Sequence, residues 1–467
     1  CNNHTAVIAL KSNCRRNGYK SVSVDSPVVV EEAKKVLVTL ADGTTNTITD
    51  KTRQSVDDED FSSAVYSKAD LVFNGSGTLN VNAGYRNGIK STDDLKVVSG
   101  TFNITSNEDG IIGKDLLGIK DGKFTIKSGS DGMKSTYDTD TSKGNIVITG
   151  GEFDITASND GIHCNEDILI SGGNLTISSG DDGVHADDNL QVDGGTIDIK
   201  KCCEGLEGVQ ITLNDGDISI VASDDGINAA DGSSSSGMGI GGFGGGQNGG
   251  FGGGQTSSSD SSILLTINGG NIFVNAGGDG LDSNGNIVMN GGNVTVLGPT
   301  SDGDTALDFD GAFTINGGVL MAFGSSGMLE TPTSAQNGCC IVTTLGTVSA
   351  NSAFSLMDSS GNVIMSYTPT KNYASAIVYS SDIKNGSTYT VTAGSTTQSI
   401  TVNSNVTTNG VSGGFGGGQN GGFGGGQRGG QPGGSNQQGG NQQGGMPGGN
   451  SGNGRSNSVS SSTVNQV

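Results

Sequence analysis

Short stretches of alternating apolar and polar residues recur along most of the chain. The segment Asn174-Leu175-Thr176-Ile177-Ser178 is typical, since Leu175 and Ile177 alternate with polar neighbours. A period of two residues is that of a strand with one buried face, whereas an amphipathic helix would show a period of 3.6 residues. The pattern therefore predicts an all-β protein.

The strands belong to a repeat of about 22 residues. Each unit has a turn with an acid or Asn before Gly, an apolar strand, a second acid, a second strand, Gly-Gly and a third strand. Such a unit cannot bury its apolar face alone, but stacked units bury a continuous core, and parallel crossovers are almost always right-handed. We therefore predict a right-handed, single-stranded parallel β-helix. The predicted turns are Asn87-Gly88, Asp109-Gly110, Asp131-Gly132, Asp160-Gly161, Asp182-Gly183, Glu204-Gly205, Asp225-Gly226, Asp279-Gly280 and Asp302-Gly303.

The repeat also sets the expected domain boundaries. It runs over residues 33–322 and is interrupted by a low-complexity insertion at 232–262. Residues 323–408 lose the period but keep alternating strands, which predicts a small C-terminal β domain that caps the open end of the helix. Residues 409–467 are rich in Gly, Gln, Asn and Ser and contain no acid, a composition typical of a disordered tail. Residues 1–32 remain an unassigned N-terminal segment.

Charge and hydropathy limit the classes of partner. The net charge of −23 disfavours nucleic acid and anionic lipid and favours cations. No apolar run approaches the roughly 20 residues of a transmembrane segment. Cys1-Asn2-Asn3 would suit the lipidated start of a bacterial lipoprotein, so a lipid anchor at Cys1 is one expectation, and a truncated or misread start is the alternative.

The cysteines do not suggest a disulfide framework, because their total of 7 is odd. Cys202-Cys203 and Cys339-Cys340 are adjacent pairs, and adjacent cysteines close only a strained ring. We expect buried thiols or interchain crosslinks, and crosslinks would produce self-association.

Acidic residues would form two columns if successive coils stack at about 4.8 Å. Neighbouring charges at that spacing repel by roughly 3.5 kcal/mol at an effective dielectric of about 20, so a column needs compensation. One alternative is that each aspartate makes a local Asx-turn hydrogen bond and faces water. The other is Ca²⁺, which takes six to eight hard oxygen ligands. The second column would hold Asp94, Asp115, Asp138, Asp167, Asp188 and Asp231, and the predicted calcium ligands are Asp160, Asp181, Asp182, Asp187, Asp188, Asp224 and Asp225.

A third column should point outward, because the residue before each of its members is apolar. Within it we predict Lys134, His163, His185 and Glu207 as carbohydrate-binding residues. His163, His185 and Glu207 also have the residue types of a zinc or general-base site, and a polar surface column without a ligand is the alternative. The column contains Lys90, Ile112, Lys134, His163, His185, Glu207, Asn228 and Asp282.

Residues 36–47, together with the Gly-Ile-Lys-Ser, Asp-Gly-Met-Lys-Ser and Asp-Gly-Ile repeats, resemble the bacterial carbohydrate-binding domain-containing family over about residues 36–408. The resemblance implies an extracellular or cell-surface protein with a pectate-lyase-like β-helix. It further implies bound calcium and binding of cellulose or acidic plant polysaccharide without established catalysis.

From these features we expect a non-catalytic protein that binds cellulose or acidic, pectin-like polysaccharide. A calcium-dependent pectate-type lyase is the first alternative, and it would need a base near calcium, for which Lys134, Lys200 and Lys201 are available. Arg86 is the only arginine between residues 54 and 408, which disfavours that chemistry, and the lack of Trp removes a flat aromatic platform. A structural fibre or adhesin subunit is the second alternative.

Overall fold

The computed structural model describes residues 5–10, 20–23, 26–52, 61–137, 139–231 and 262–411. Within these ranges every helix or strand is a β-strand, so the all-β prediction is confirmed. The same ranges contain no helix that is long and apolar enough to cross a membrane. The expectations for Cys1, Asp138, residues 232–261 of the insertion and residues 412–467 of the tail lie outside the described residues.

Most strands pair in parallel with the strands of neighbouring repeats and form three columns. The first column follows each acidic turn, the second follows the next corner, and the third follows the Gly-Gly corner. The first column contains Val28–Val30, Ser63–Ser67, Asn87–Ser91, Ile111–Gly113, Met133–Ser135, Ile162–Cys164, the starts of Val184–Val192 and Leu206–Leu213, Ile227–Ala229, Leu281–Ser283 and Leu307–Phe309. The second contains Thr5–Leu10, Lys35–Leu40, Asp70–Gly75, Asp94–Val97, Leu116–Ile119, Asn145–Ile148, Ile168–Ile170, the ends of Val184–Val192 and Leu206–Leu213, Leu264–Ile267, Asn286–Met289, Phe313–Ile315 and Ser334–Ala335. The third contains Lys20–Ser23, Thr45–Asp50, Thr78–Ala83, Thr101–Ser106, Lys123–Ser128, Glu152–Ala157, Asn174–Ser178, Thr196–Cys202, Asp217–Ala222, Asn271–Asn275, Asn293–Leu297 and Val319–Gly324.

This arrangement is that of a parallel β-helix, and its strands begin before residue 33. Thr5–Leu10 pairs with Lys35–Leu40, and Lys20–Ser23 pairs with Thr45–Asp50. The segment that the sequence left unassigned therefore contributes strands to the stack.

Aliphatic and aromatic side chains from all three columns fill the interior. In the third column the rings of Phe102, Phe124 and Phe153 stack with centroid separations of 5.0 and 4.8 Å. Each is almost completely buried, and full burial of such a side chain contributes about 1.5–3 kcal/mol. The turns approach so closely that a Cβ at Gly132 would lie 2.5 Å from the carbonyl oxygen of Gly161. Glycine is therefore required after the turn acid.

The C-terminal strands extend the third column and add a separate small sheet. Tyr373–Ser380 pairs antiparallel with Val319–Gly324 and with Cys339–Val348, which in turn pairs with Val406–Asn409. The antiparallel strand covers the edge left by the last parallel strand, so the C-terminal residues share a sheet and a core with the helix. A four-stranded antiparallel sheet completes the domain with Phe354–Met357, Val363–Tyr367, Thr388–Ala393 and Thr396–Thr401.

Candidate functional site

The turn acids form a ladder of hydrogen bonds between successive coils. The main-chain N–H of Asp160 donates to Oδ1 of Asp131 at 3.2 Å, and that of Asp182 donates to Oδ1 of Asp160 at 3.0 Å. Asp131, Asp160 and Asp182 are only 0%, 4% and 6% exposed. The alternative that they make local turn bonds and face water is wrong for Asp131 and Asp160, because their Oδ1 atoms accept hydrogen bonds from the next coil. Their Oδ2 atoms remain available to the outward column.

The predicted carbohydrate-binding residues stand directly above one another. Lys134 pairs with His163, His163 with His185, and His185 with Glu207 in the first strand column. The two imidazole rings stack with centroids 4.9 Å apart and an interplanar angle of 23°. The four side chains therefore form one continuous row, which we call the outward row.

The carboxylates of the turn acids lie beside the positively charged members of this row, Lys134 and His163. Nζ of Lys134 pairs with Oδ2 of Asp131, and Nδ1 of His163 lies 3.6 Å from Oδ2 of Asp131 and 3.5 Å from Oδ2 of Asp160. Burial would lower the pKa of His163, but hydrogen bonds to Asp131 and Asp187 outweigh burial and raise it to about 9. Burial and the neighbouring charge of Asp182 raise the pKa of Asp160 to about 6. At neutral pH His163 is therefore an imidazolium.

Asp187 joins the outer edges of the two imidazoles. Its Oδ1 lies 3.3 Å from Nε2 of His163 and 3.5 Å from Nε2 of His185. Its Oδ2 accepts a hydrogen bond of 2.7 Å from the side-chain amide of Asn165. Burial opposes ionisation of Asp187, but hydrogen bonds from His163 and Asn165 prevail and lower its pKa. Asp187 therefore orients both rings from the solvent side.

His185 faces two further carboxylates through its other nitrogen. Nδ1 lies 3.1 Å from Oδ2 of Asp182 and 3.3 Å from Oε2 of Glu207. Burial, followed by the proximity of Asp182, raises the pKa of Glu207 to about 9. Asp182 and Glu207 thus place two carboxyl groups beside a single imidazole.

The seven predicted calcium ligands do not form one group. Asp160, Asp181 and Asp182 come together, with one carboxylate oxygen of each within 4.8 Å of the others. Asp187 lies across the imidazole pair from them. Asp188 lies at a corner, where its main-chain N–H donates to the carbonyl of Glu166. Asp224 and Asp225 belong to the next turn, where Oδ1 of Asp225 accepts a 2.6 Å bond from the N–H of Asp279.

The predicted second column of acids is wrong. Asp94 pairs with Leu116 rather than with an acid. Asp167 lies between two asparagines, since its N–H donates to Oδ1 of Asn145 at 3.2 Å and Asn189 donates to its Oδ1 at 2.7 Å. Asp115 and Asp188 come six residues after the turn acid, whereas Asp167 comes seven residues after it, and this difference of one residue places the acids at different positions of aligned coils.

The predicted last turn at Asp302-Gly303 is also wrong. Leu281 pairs with Leu307, so Thr305 occupies the position after Asp279 in the turn ladder. The N–H of Thr305 donates to Oδ1 of Asp279 at 2.5 Å. An extra loop before Thr305 displaces Asp302 from the register.

The outward row continues to Asn228 and Asp282, as the sequence predicted, and then to Asp308, which the sequence interpretation missed. Asn228 pairs with Asp282, and Asp282 pairs with Asp308, across and beyond the long insertion. Burial, then the charges of Asp225 and Asp308, raise the pKa of Asp282 to about 9. Burial, then the charge of Asp308, raises the pKa of Glu330 to about 8. Asp308 was missed because the last turn was predicted at Asp302-Gly303, whereas Thr305 occupies the turn position.

The fold and this face define a class: an all-β protein of stacked parallel strands whose outer face carries a row of imidazoles and carboxylates. A family model described as "Carbohydrate-binding domain-containing protein" matches residues 21–249 and 180–327. The chain therefore belongs to that family, and the resemblance seen in the sequence is confirmed.

Two known proteins show the similarity in part. A carbohydrate-binding domain-containing protein from Acetivibrio thermocellus is 34% identical over 82 residues, which is 17% of this chain. The match spans only 29% of that relative's length. A solved structure described as a polysaccharide lyase-like protein from C. thermocellum, a gadolinium derivative, has 30% sequence identity and a TM-score of 0.37. That similarity covers 40% of this chain and 75% of the other.

Proposed function

We propose that the protein is an extracellular or cell-surface, non-catalytic polysaccharide-binding protein that holds acidic, pectin-like glycans along the outward row. The observation that carries this proposal is the uninterrupted row from Lys134 through His163 and His185 to Glu207. A row at coil spacing offers an extended chain several equivalent contacts. Membership of a carbohydrate-binding family supports a polysaccharide as the partner.

The positive charge at one end of the row, on Lys134 and His163, favours an anionic glycan. Lys134 and the imidazolium of His163 can pair directly with uronate carboxylates, and their side chains are 23% and 19% exposed. Glu207, Asp282 and Asp308 offer the same glycan no positive charge. A bound cation is needed there to join carboxylates of the protein to those of the sugar.

Calcium fits this requirement at the turn ladder. Asp160, Asp181 and Asp182 offer three hard oxygen ligands within 4.8 Å of one another, and Asp181 is exposed to solvent. Ca²⁺ takes six to eight oxygens, so uronate carboxylates and water would complete its shell. Bound there, it would supply positive charge and bridge protein to glycan. Cellulose, which is uncharged, gains nothing from such a bridge.

The lysine contacts support binding rather than lyase chemistry. Burial opposes the charge on Lys134, but the pairing with Asp131 prevails and raises its pKa, so the amine stays protonated and cannot take a proton. Lys200 and Lys201 belong to Thr196–Cys202 of the third column, away from the row. Lys200 is also paired with Asp198.

The burial of the described cysteines gives little support to a crosslinked fibre. Among the described residues Cys164, Cys202, Cys339 and Cys340 are buried, and Cys203 is half-buried. A crosslink between chains needs an exposed thiolate. Burial, then the charge of Asp224, raises the pKa of Cys203 to about 11.

The test is incubation with polygalacturonate, with calcium or with EDTA, followed by sedimentation and by the absorbance of unsaturated products. We expect calcium-dependent co-sedimentation without product. Lys134→Met should weaken binding roughly tenfold, since a hydrogen bond to a charged group contributes about 1.5–3 kcal/mol. Lys127→Met is the matched control, because Lys127 is exposed on the third column. Sustained product formation would favour the lyase alternative. Equal binding by both variants would show that the glycan does not bind to the outward row.

A further inference from the structure

The carboxylates of Asp182 and Glu207 and the imidazole of His185 converge on one small space. Nδ1 of His185 lies 3.1 Å from Oδ2 of Asp182 and 3.3 Å from Oε2 of Glu207. One ligand atom from each of the three residues lies within 4.8 Å of the others. Ligands held at about 2.0–2.1 Å in a tetrahedral shell are about 3.3–3.4 Å apart. The contacts to Nδ1 are therefore close to the edges of such a shell.

The opposite nitrogen of His185 faces another carboxylate. Nε2 lies 3.5 Å from Oδ1 of Asp187, and Asn165 fixes that carboxylate by donating to its Oδ2 at 2.7 Å. A histidine that binds a metal typically presents its other N–H to a carboxylate, which sets the tautomer. With the proton on Nε2, the lone pair of Nδ1 points between Asp182 and Glu207.

Two coils earlier, the turn acid has a lysine partner. There the ammonium of Lys134 pairs with Asp131, and His163 lies beside the same carboxylate. In the next two coils the same position of the row holds His163 and His185, and in the third it holds Glu207. Among the described residues, no lysine or arginine is paired with Asp182 or Glu207. This pair therefore has an imidazole beside it but no fixed cation.

We propose that Asp182, His185 and Glu207 form a binding site for a zinc-class transition-metal ion, with at least one coordination position open to solvent. The nitrogen ligand distinguishes this site from the all-oxygen group of Asp160, Asp181 and Asp182, because imidazole favours Zn²⁺ and Co²⁺ whereas Ca²⁺ favours oxygen. The side chains of Asp182, His185 and Glu207 are 9%, 25% and 16% exposed, so an ion can enter from solvent. The site does not depend on the proposed polysaccharide partner.

The test is calorimetric titration of Zn²⁺ into chelated and dialysed full-length protein without calcium, because Asp182 also belongs to the proposed calcium group. A parallel titration with Co²⁺ follows the visible absorption of four-coordinate cobalt. We expect one equivalent of Zn²⁺ and a tetrahedral cobalt spectrum. Asp187→Asn should raise the Kd by about 10–100-fold, as loss of an outer-shell partner does. His185→Asn and Glu207→Gln remove ligands and should each raise it by more than about 100-fold.

His163→Asn is the matched control, because it changes the stacked imidazole while keeping all three ligands. Asparagine is compatible with the row, since Asn228 occupies it after Glu207, and melting curves will show that each variant is folded. Absence of Zn²⁺ binding, an unchanged Kd in His185→Asn, or an equal loss in His163→Asn would each overturn the proposal. Polygalacturonate binding is measured separately, so failure of zinc to bind leaves the proposed function untouched.

Discussion

Asp282→Asn should make the protein less sensitive to rising pH. Asp282 lies among the carboxylates of Asp225, Asp279 and Asp308, and burial together with these charges raises its pKa from the ordinary value of 3.8 to about 9. Between those values the folded chain keeps the proton and the unfolded chain loses it. The stability that this proton contributes is complete below about pH 4 and is lost as the pH rises through 9.

The magnitude follows from the linkage relation. One group that is protonated only in the folded state lowers the free energy of unfolding by about 1.4 kcal/mol for each unit of rising pH. Between pH 6 and pH 8 the difference is about 3 kcal/mol for Asp282 alone. The amide cannot ionise, and it is sterically acceptable because Asn228 precedes Asp282 in the row.

The assay is urea denaturation at pH 6, 7 and 8 in EDTA. Asp282→Asn should lose about 3 kcal/mol less than the wild type between pH 6 and pH 8. Asp215→Asn removes the same charge from an exposed corner, so it separates the local effect from the change in net charge. Parallel pH profiles for wild type and Asp282→Asn would refute the idea that uncompensated carboxylates face each other in these coils.

Three further predictions concern cations, the core and the thiols. Calcium at about 100 times its Kd should add about 2.7 kcal/mol to the free energy of unfolding and raise the melting temperature by several degrees. Asp160→Asn combined with Asp182→Asn should abolish much of that shift. If the melting temperature of freshly chelated protein does not change with calcium or EDTA, the calcium site is refuted. Phe124→Ala should cost about 3–5 kcal/mol in urea denaturation because it breaks the aromatic stack, and a loss below 1 kcal/mol would contradict the packing. Purified protein should show no reductant-sensitive oligomer on a gel, because its described thiols are buried or half-buried; oligomers that disappear with Cys203→Ser would show crosslinking.

The outward row could be predicted from the sequence because the repeat is most regular around the first strand. An apolar residue such as Ile162 or Val184 precedes each row member and must enter the core, so the next side chain must face outward. That constraint keeps His163 and His185 in register even where other parts of the coil differ in length.

The partners of the row could not be predicted in the same way. Asp187 follows Ala186 in a stretch where the pairing register shifts before Asn189. Where backbone register shifts, the direction of a side chain no longer follows from alternation. The contact of Asp187 with both imidazoles therefore appears only in three dimensions.

The turn acids could be identified from the sequence, but their hydrogen bonds to the next coil could not. Its members were identified from the glycine that follows each acid, and the close approach at Gly132 explains why that signal is reliable. The pattern did not reveal that Oδ1 of Asp131 bonds to the main chain of the next coil. In Asp131 it is the second oxygen, Oδ2, that contacts Lys134 and His163.

The most direct test of the account is a crystal structure of the protein with calcium and an oligogalacturonate. We expect a glycan that lies along the outward row, with uronate carboxylates beside Lys134 and His163 and a calcium ion that joins the sugar to Asp160, Asp181 and Asp182. A glycan bound to the outer face of the third column, or one bound to the row with no cation contact, would contradict it.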